Sequence, residues 1–363
     1  MTSNGVRILQ IGSDRSKRGI LHRDSPAFKR QEAYAARFGN LDIIGFSLRF
    51  DGARKIETGP LRVMPTNSAS KLLFGWDALR IARTLPRPDV VSGQDPFETG
   101  LIGWLISLMK AVPLHVQVHT DFLSPEYARL SLLNRLRVRL AGFVLRRASR
   151  IRVVSERIKK SIEVRYAVRA PIAVLPIFVD IDSIRVGLQD FALAKRFSAY
   201  KNKLLVVSRL EPEKNVALAI RSFSEVKPQS ACLIVVGGGS ERGSLERLAR
   251  HLGISDRVFF EDGKDVAPYY ALTDLVLFPS KYDGYGMVII EALAAGKPVL
   301  STDVGIAREA GAIIAKPEEF PNALLEWFKS GPRTAELKNY QYKNFDEYIA
   351  AYCADIAACA DSK

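Results

Sequence analysis

The sequence predicts an α/β protein of two doubly wound, Rossmann-like domains, each with a mostly parallel sheet and helices on both faces. Three observations support this fold class. At 363 residues the chain is longer than one typical hydrophobic core, so two domains are expected. Short apolar segments alternate with helical segments along the chain. The alternation stops in residues 180–201 and then begins again, which indicates a linker.

In the first half, short apolar segments that end in glycine or a polar residue are predicted to be strands. The first of them runs into Gly12, as the opening strand of a doubly wound domain commonly does. Helices are expected in the longer segments between the strands. The predicted strands are residues 6–11, 41–48, 89–92, 115–119, 151–155 and 172–177, and the predicted helices are residues 26–38, 69–85, 99–110 and 129–147.

The second half shows the same alternation and ends in a further helix. Its predicted strands are residues 204–208, 232–236, 258–260, 275–278 and 298–301, and its predicted helices are residues 217–226, 245–252, 266–272 and 345–360. We therefore predict domains at residues 1–182 and 183–335, followed by a helical segment at residues 336–363.

The composition is that of an ordinary globular protein, with 47% apolar and 25% charged residues. The most apolar run, residues 100–109, is far shorter than the roughly 20 residues of a membrane-spanning helix. The first residues lack the apolar core of a signal peptide, and the three cysteines form neither a metal-binding spacing nor an even disulfide set. These features favour a reduced, cytoplasmic location and leave open a peripheral position on the inner face of the membrane.

The net charge of +14 is confined to one half of the chain. Residues 1–185 hold 31 Lys and Arg against 16 Asp and Glu, whereas the remainder holds 22 against 23. Residues 129–160 are the densest part, with eleven basic residues and one acid. Such a surface suits an anionic membrane, a phosphorylated substrate or a nucleic acid, and the alternative is a solvated basic helix. Aromatic residues are not interleaved with the basic ones, so nucleic acid ranks last.

A strand–loop–helix segment at residues 275–296 has the features of an anion site. Gly284 and Gly286 leave the backbone uncovered where the helix begins, and free N–H groups there suit a phosphate. Two acids, Asp283 and Glu291, bracket this joint. The interpretation is a site for a nucleotide-diphosphate sugar. The alternative is that Asp283 only begins the helix and that Glu291 is a solvated residue.

Two basic residues follow the first strand of the second half. Arg209 and Lys214 lie between this strand and the next helix, so they are expected to converge with the glycine loop at the ends of the strands. Two fixed cations would neutralise a departing diphosphate without a metal ion. An exposed basic turn is the alternative.

Other polar features have competing interpretations. His119, at the end of an alternating strand, is as often a satisfied core histidine as a ligand. Residues 237–239 are three glycines, but the G-x-G-x-x-G pattern of dinucleotide binding is not formed. Asp180 and Asp182 imitate a metal-binding pair, but they lie in the linker, and we predict no metal site.

The motifs of the second half occur in order over residues 203–309. They are Ser-Arg-Leu-Glu-Pro-Glu-Lys from Ser208, Val-Val-Gly-Gly-Gly from Val235, Asp-Arg-Val from Asp256, Tyr-Tyr from Tyr269, Phe-Pro-Ser from Phe278, and Asp-Gly-Tyr-Gly from Asp283 with Glu291 beyond it. This series resembles the C-terminal half of the group 1, family-four retaining glycosyltransferases, whose two Rossmann-like domains face each other across a cleft (the GT-B fold). The first half is similar through Gln94-Asp95-Pro96, His119, Val154-Ser155-Glu156 and residues 175–180.

The resemblance implies roles in binding a nucleotide-sugar donor. Arg209 and Lys214 would bind the diphosphate and stabilise it as the leaving group. Glu291 would accept hydrogen bonds from both ribose hydroxyls, and Asp283 would hold a hydroxyl of the transferred sugar. The loop, the helix start and a segment near the base would complete the donor site through Gly284, Tyr285, Gly286, Met287, Val288, Gly263 and Val266.

The resemblance also implies the remaining parts of the reaction. His119 would contact the sugar from the first domain, with Asp95 and Asp121 on the acceptor side, and the last helix would cross back to that domain. The implied enzyme is a retaining, metal-independent transferase without cofactor. It would move a hexose-type sugar to a glycan, lipid-linked or small-molecule acceptor in cell-envelope polysaccharide biosynthesis, with residues 129–160 on an anionic membrane.

Three positions depart from the family pattern. Asp283 stands where the family has a glutamate, which is one methylene longer, so its contact with the sugar is expected to change. The glycine pair expected near the first strand is absent, and residues 304–306 hold one glycine instead of two. Two other functions compete with transfer: a sugar-nucleotide epimerase of the same architecture, and a non-catalytic basic nucleic-acid-binding protein.

Overall fold

A computed structural model describes residues 5–14, 19–185, 190–263 and 265–362. The chain forms two compact units, of which the first comprises Met1–Pro176 with Asn344–Lys363 and the second comprises Ile177–Lys343. The sequence-based divisions, after residues 182 and 335, lie a few residues from these. Each unit contains one sheet that is entirely or almost entirely parallel, so the predicted α/β fold class is confirmed.

The helices alternate with the strands in both units. In chain order they are α1 Pro26–Phe38, α2 Phe74–Thr84, α3 Glu98–Lys110, α4 Pro125–Leu130, α5 Leu132–Leu145, α6 Glu156–Arg165, α7 Ile181–Arg185, α8 Phe191–Arg196, α9 Val216–Val226, α10 Arg242–His251, α11 Ala267–Leu272, α12 Met287–Ala294, α13 Ala307–Ala310, α14 Phe320–Ser330 and α15 Phe345–Ala360. Short 3-10 turns lie at Arg49–Asp51, Lys71–Leu73, Pro212–Lys214 and Pro317–Glu319. The first unit contains α1–α6 and α15, and the second contains α7–α14.

The sheet of the first unit is parallel apart from one edge hairpin. Its strands are β1 Arg7–Gly12, β2 Asn40–Gly45, β3 Ile56–Thr58, β4 Leu61–Pro65, β5 Val90–Gly93, β6 Leu114–Val118, β7 Arg150–Val153 and β8 Ile172–Val174. They lie in the order β3-β4-β2-β1-β5-β6-β7-β8, with β3 antiparallel to β4. The chain builds the sheet outward from β1 in one direction and then resumes with β5 on the other side. The ends of β1 and β5 therefore border the point where ligands usually bind in such sheets.

The last helix returns to the first unit because its aromatic face packs there. Tyr34 of α1 lies 5.0 Å from Tyr352 and 6.4 Å from Phe345, measured between ring centroids. The Tyr34 hydroxyl donates a hydrogen bond of 2.9 Å to the Tyr348 hydroxyl. The predicted range of this helix, residues 345–360, is the observed one.

The predicted helix at residues 129–147 is wrong in one respect, because it is two helices. Ser131 has an extended backbone (φ −163°, ψ 158°), and its hydroxyl accepts a hydrogen bond from the backbone N–H of Asn134. This serine therefore ends α4 and caps the start of α5. The apolar side chains of this segment are also only partly buried, since Val144 is covered whereas Leu133 and Leu136 are more than half exposed.

The predicted linker at residues 180–201 contains two short helices, α7 and α8, and residues 186–189 between them lie outside the described part of the chain. Both helices start at an aspartate. The Asp180 carboxylate accepts from the Ser183 N–H at 3.1 Å, and the Asp190 carboxylate accepts from the Leu193 N–H at 2.9 Å. Sequence periodicity misses helices this short, whereas capping aspartates are their usual signal.

The sheet of the second unit has the strand order of a dinucleotide-binding fold. Its strands are β9 Asn202–Val207, β10 Ala231–Val236, β11 Val258–Glu261, β12 Leu275–Phe278, β13 Val299–Ser301 and β14 Ile313–Ile314, all parallel in the order β11-β10-β9-β12-β13-β14. Buried side chains of Phe223, Phe320 and Trp327 pack against the sheet. The chain changes direction between β9 and β12, so the loops after these two strands border the expected ligand crevice.

No helix in the described ranges is long and apolar enough to cross a membrane.

Candidate functional site

The loops after β9 and β12 lie side by side in the second unit. The backbone N–H of Lys281 donates to the Glu213 carbonyl at 2.8 Å. The Lys214 ammonium donates to the Asp283 carboxylate, with 2.6 Å between Nζ and Oδ2. The structure thus brings together two predicted site residues that are 69 positions apart in the chain.

Local contacts fix this ion pair in place. Lys214 ends a 3-10 turn, and its ammonium lies 5.8 Å from the centre of the Phe278 ring. The other carboxylate oxygen of Asp283 accepts from the backbone N–H of Tyr285 at 3.0 Å, which ties the aspartate to its own loop. An ammonium has three N–H donors, so Lys214 keeps donors for a ligand while one is held by Asp283.

Arg209 lies in the same loop but points to a different partner. Its guanidinium donates to Glu213 at 3.0 Å, and 71% of its side chain is exposed. Among the contacts of the described residues, the structure does not bring Arg209 to the Lys214–Asp283 pair. An exposed ion pair of this kind contributes little to stability, so the guanidinium is able to exchange Glu213 for an anionic ligand at small cost.

The start of α12 presents open backbone to the same crevice. Gly286 precedes the helix with a left-handed backbone (φ 93°, ψ 57°), and no side chain caps the first turn. The first N–H groups of a helix have no partner within it, so those of Met287 and Val288 suit an anion. Gly305 lets the next loop approach closely, because a Cβ there would lie 2.3 Å from the Tyr285 carbonyl oxygen.

Glu291 lies one turn further along α12 and has a buried partner. The Tyr270 hydroxyl donates to the Glu291 carboxylate at 2.7 Å. Burial raises the pKa of Glu291, and the hydrogen bond from Tyr270 opposes this in part. Burial and the neighbouring carboxylate also raise the pKa of Tyr270. Tyr270 thereby holds the carboxylate in one orientation, a role that sequence reasoning did not assign, although Tyr269-Tyr270 is part of the recognised motif.

The segment predicted to hold the base connects to this pair. Gly263 packs against the end of β10, because a Cβ there would lie 2.7 Å from Val236 Cγ1. Val266 precedes α11, and its carbonyl accepts from the backbone N–H groups of Tyr269 and Tyr270. Lys264, between them, lies outside the described residues. The predicted base segment therefore leads directly into the helix that carries the partner of Glu291.

Two of the three glycines at residues 237–239, Gly237 and Gly239, allow close packing between loops. Gly237 has φ 135°, and a Cβ there would lie 2.0 Å from the Ser208 carbonyl oxygen. The N–H of Leu210 donates to the Gly238 carbonyl at 2.8 Å. Side chains larger than hydrogen would separate the loop after β9 from the loop after β10. This explains Gly237 and Gly239 without dinucleotide binding, whereas a Cβ at Gly238 would meet open space.

In the first unit, Asp95 follows β5 at the switch point. Its carboxylate accepts from the backbone N–H groups of Phe97 at 2.8 Å and Thr99 at 3.3 Å, and from the Ser13 hydroxyl at 3.5 Å. Burial raises the pKa of Asp95, although the hydrogen bonds from Phe97 and Thr99 lower it in part. Asp95 thus stabilises the start of α3 through these hydrogen bonds. Its role on the acceptor side stays a prediction.

His119 and Asp121 follow β6. His119 Nε2 lies 3.2 Å from Gln117 Oε1, and the residue is exposed to solvent. Part of the residue is open to solvent, but the surrounding chain limits hydration of the ring; this and the charges of Arg152 and Arg30 lower the pKa of His119. Asp121 is buried, and its carbonyl accepts from the Ser124 N–H at 3.3 Å. The roles of both stay predictions.

A buried polar network beneath His119 was missed from sequence. It joins β5, β6 and β7 to the last helix and consists of Ser92, His115, Gln117, Arg150, Arg152, Tyr348, Tyr352 and Asp355. A partial signal existed, since residues 115, 117 and 119 alternate on one face of a strand that is otherwise apolar. Asp355 carried no such signal, because only the tertiary fold brings it to His115.

The predicted absence of a metal site stays a prediction. Within residues 5–14, 19–185, 190–263 and 265–362, no group of three or more His, Cys, Asp or Glu side chains is arranged to hold a metal ion. Asp180 instead caps α7, as described above.

Comparisons with known proteins agree with the motif order. Residues 32–183 match the family model described as Glycosyltransferase Family 4, and residues 192–344 match the one described as Glycosyl transferases group 1. The D-inositol 3-phosphate glycosyltransferase of Mycolicibacterium smegmatis is 31% identical over 221 residues, which cover 57% of this chain and 50% of that protein. The N-acetyl-alpha-D-glucosaminyl L-malate synthase of Bacillus anthracis is 35% identical over 104 residues, 28% of this chain and 27% of that protein. The chain thus matches half or less of the length of these relatives.

Solved structures share the fold at lower identity. Anabaena HepE in complex with UDP has a TM-score of 0.69 at 20% identity, covering 98% of this chain and 97% of that chain. Sucrose-phosphate synthase from Thermosynechococcus elongatus has a TM-score of 0.74 at 16% identity, covering 98% and 96%. This likeness establishes the GT-B fold. Because the two family models together match most of the chain in the predicted order, the protein belongs to the group 1, family 4 glycosyltransferases.

Proposed function

We propose that the protein is a retaining, metal-independent glycosyltransferase that uses a nucleotide-diphosphate sugar. The observation that carries the proposal is the Lys214–Asp283 ion pair beside the uncapped start of α12, with Glu291 one turn further on. This arrangement offers a cation and open N–H groups to a diphosphate and a carboxylate to a ribose. It supplies three parts of a donor site from one crevice.

In the proposed reaction the bond between the sugar C1 and the donor phosphate oxygen breaks. A bond from C1 to the acceptor oxygen forms on the same face of the sugar, and the acceptor proton passes to the departing phosphate oxygen. Lys214 and Arg209 stabilise the negative charge that grows on the diphosphate, and the amides of Met287 and Val288 add fixed dipoles there. Side chains and backbone thus supply the positive charge that a metal ion supplies in other transferases.

A uridine nucleotide is a reasonable first donor to test, because HepE, one of the proteins that share this fold, was solved with UDP and with UDP-glucose. We expect calorimetric titration to show binding of at least one of UDP, GDP and ADP, weakened by Lys214→Ala and by Arg209→Ala. Lys329→Ala is the matched control, since Lys329 is an exposed, ion-paired lysine of the same unit. If none of the three diphosphates binds, the proposal fails.

Product analysis tests two parts of the proposal, metal independence and retention of the anomeric configuration. We expect turnover to persist in EDTA and the product to keep the anomeric configuration of the donor, as read by proton NMR. Loss of activity in EDTA with recovery in Mg²⁺ or Mn²⁺ would contradict metal independence, and an inverted product would contradict retention. Conversion of a nucleotide sugar without any acceptor would indicate an epimerase instead.

We further propose that the acceptor is lipid-linked and that α4 and α5 rest on an anionic bilayer. Four leucines on these helices are exposed, with Leu132 the most exposed at 74%; the set is Leu130, Leu132, Leu133 and Leu136. Arginines lie among them at Arg129, Arg135 and Arg139. Exposed leucines next to arginines suit the boundary between acyl chains and anionic head groups. The alternative, a basic helix that faces only solvent, does not account for the exposed leucines.

Vesicle sedimentation tests this surface. We expect the protein to bind vesicles that contain phosphatidylglycerol more strongly than neutral phosphatidylcholine vesicles, and the double variant Leu132→Ser/Leu136→Ser to bind less. Leu72→Ser is the matched control, because Leu72 is also an exposed leucine of the first unit. Equal binding to both vesicle types, or an equal effect of Leu72→Ser, would contradict the proposal. A steep salt-dependent affinity for duplex DNA would favour the nucleic-acid alternative.

A further inference from the structure

The buried network of the first unit has a defined hydrogen-bond direction. At one end, Asp355 Oδ2 lies 3.0 Å from His115 Nε2, and Arg150 donates to the other carboxylate oxygen. Burial raises the pKa of Asp355, but the hydrogen bond from His115 and the hydrogen bond and charge of Arg150 outweigh this and lower it overall. Asp355 is therefore ionised and accepts only, so His115 Nε2 carries a proton.

The donor-to-acceptor order can be followed from His115 to Ser92 and then to Gln117. Burial lowers the pKa of His115, so the ring is neutral and its Nδ1 is an acceptor. Ser92 Oγ, 3.1 Å from Nδ1, must donate its proton there. The serine oxygen then accepts from Gln117 Nε2, which lies 3.1 Å away and also donates to the Tyr352 hydroxyl at 3.0 Å.

Arg152 fixes the orientation of the Gln117 side-chain amide through the amide oxygen. Its guanidinium is almost fully buried, has no acceptor atom, and lies 3.1 Å from Gln117 Oε1. A flipped amide would place two donors face to face there, so the atom next to Arg152 must be the oxygen. The same oxygen lies 3.2 Å from His119 Nε2. His119 therefore has to donate through Nε2.

We infer that Gln117 is a positioning residue that holds His119 as the neutral Nε2–H tautomer, so that Nδ1 accepts a hydrogen bond from a sugar hydroxyl. This inference rests on the proposed function for its ligand but not for its tautomer. It assigns His119 the role of an acceptor for a neutral hydroxyl, not that of a cation for phosphate.

The groups around His119 favour the neutral ring on every side. Arg152 from β7 and Arg30 from α1 both oppose a positive charge, and the neutral His115 of β6 adds no negative charge to favour one. On α15, the Tyr352 hydroxyl contacts Gln117, and the carboxylate of Asp355 is committed to His115 and Arg150. Buried charges such as Arg152 cost stability unless they are well paired, and orienting a ligand-binding side chain is a physical reason to retain one.

Nitrogen NMR of histidine-labelled protein is the direct test, since the chain has only four histidines. In free wild-type protein between about pH 5.5 and 8, we expect His119 to show a protonated Nε2 and a bare Nδ1. Gln117→Leu should give a mixture of tautomers and lower kcat/KM about tenfold, the effect of one lost hydrogen bond. Gln117→Glu should raise the pKa of His119 and add a step in activity towards acid pH, separate from the step expected of Glu291 in both proteins.

Gln10→Leu is the matched control, because Gln10 is also a buried strand glutamine of the first unit. It should leave the His119 spectrum unchanged. A protonated Nδ1 in the free wild-type protein, or a Gln117→Leu variant with an unchanged spectrum, would overturn the inference. If the spectra are as expected but no nucleotide sugar is turned over, the tautomer stands and the proposed function fails.

Discussion

The two units share one topology around their switch points and differ in the chemistry placed there. In the second unit the loops after β9 and β12 carry a fixed ion pair, Lys214 with Asp283, and the uncapped start of α12. In the first unit the strand ends carry His119, which a buried network keeps neutral. In the proposed function, each sheet places the ligand at its switch point, and the partners of the side chains there determine whether they suit a charged or a neutral group. Substitutions in each unit test this contrast.

Asp355→Ala should have the largest effect, on the stability of the first unit. It leaves Arg150 and the network uncompensated in the interior, and breaking a buried pair typically costs about 3–5 kcal/mol. Urea unfolding, with hydrogen exchange of the β6 amides as the probe, measures the loss in the free energy of unfolding. Asp346→Ala is the control, because Asp346 pairs with Arg37 at the exposed start of the same helix and should cost under about 1 kcal/mol. Equal losses would show that the network does not hold the unit together.

The pH dependence of the same pair follows from the sign of the shift. The pKa of Asp355 is lowered in the folded protein, so its stabilisation is complete above the unfolded-state value of about 3.9 and disappears as the pH falls through the folded-state value. The stabilities of wild type and Asp355→Ala should therefore converge towards acid pH. A gap that stays constant down to acid pH would mean that ionised Asp355 is not the source of the stabilisation.

Lys214→Ala should lower activity about 100- to 1,000-fold, the usual effect of removing one preorganised donor from a developing charge. Steady-state kinetics measures it, with Lys329→Ala as control. The circular dichroism spectrum should be unchanged, because the lysine lies in a surface turn and not in the core. A loss of activity of less than about threefold would mean that Lys214 does not stabilise the developing charge. Activity would then depend on charge in the second unit no more than in the first.

Glu291→Gln should weaken binding of a nucleoside diphosphate about 10- to 100-fold, since hydrogen bonds to a charged group contribute about 1.5–3 kcal/mol. Burial raises the pKa of Glu291, so wild-type binding should weaken as the pH falls through that raised value, while the variant should lack this step. Calorimetry at several pH values measures both. Tyr270→Phe, which removes only the orienting hydroxyl, should have the smaller effect. Wild-type binding that does not change with pH would contradict the carboxylate role.

Gly305→Ala should have the smallest effect, on the approach of two loops in the second unit. A Cβ there would lie 2.3 Å from the Tyr285 carbonyl oxygen at φ 53°, whereas Gly253 has a similar φ of 68° with open space around it. Gly253→Ala should therefore cost only the backbone strain, about 1 kcal/mol, and Gly305→Ala more than that. Thermal unfolding and diphosphate binding compare them. Equal effects would show that loop contact at Gly305 is unimportant.

The sequence revealed the second unit in more detail than the first. Its candidate site residues follow strand ends within short motifs, so residue order was enough to predict Lys214, Asp283 and Glu291. The structure places them around one crevice, and their roles in binding stay predictions. Arg209 was also named, but its guanidinium contacts Glu213. The partner of Glu291, Tyr270, lies on another helix, and its role depends on packing that no local pattern encodes.

In the first unit the sequence predicted His119 as a candidate residue, but not the hydrogen bonds that set its tautomer. The alternation of His115, Gln117 and His119 shows only that three polar side chains share one face of a strand. Their hydrogen-bond direction depends on Asp355, which is 240 residues from His115 in the chain and reaches it because α15 packs on this sheet.

By itself, therefore, the sequence determined the α/β class, the division into two units and the family, because strand periodicity and glycine-rich motifs are local properties of the chain. It also named the loop at residues 283–286 and the carboxylate beyond it. Only the tertiary structure decided which charges are paired and which rings are neutral. The reason is physical: pKa values and tautomers depend on burial and on partners that the fold alone brings within hydrogen-bonding distance.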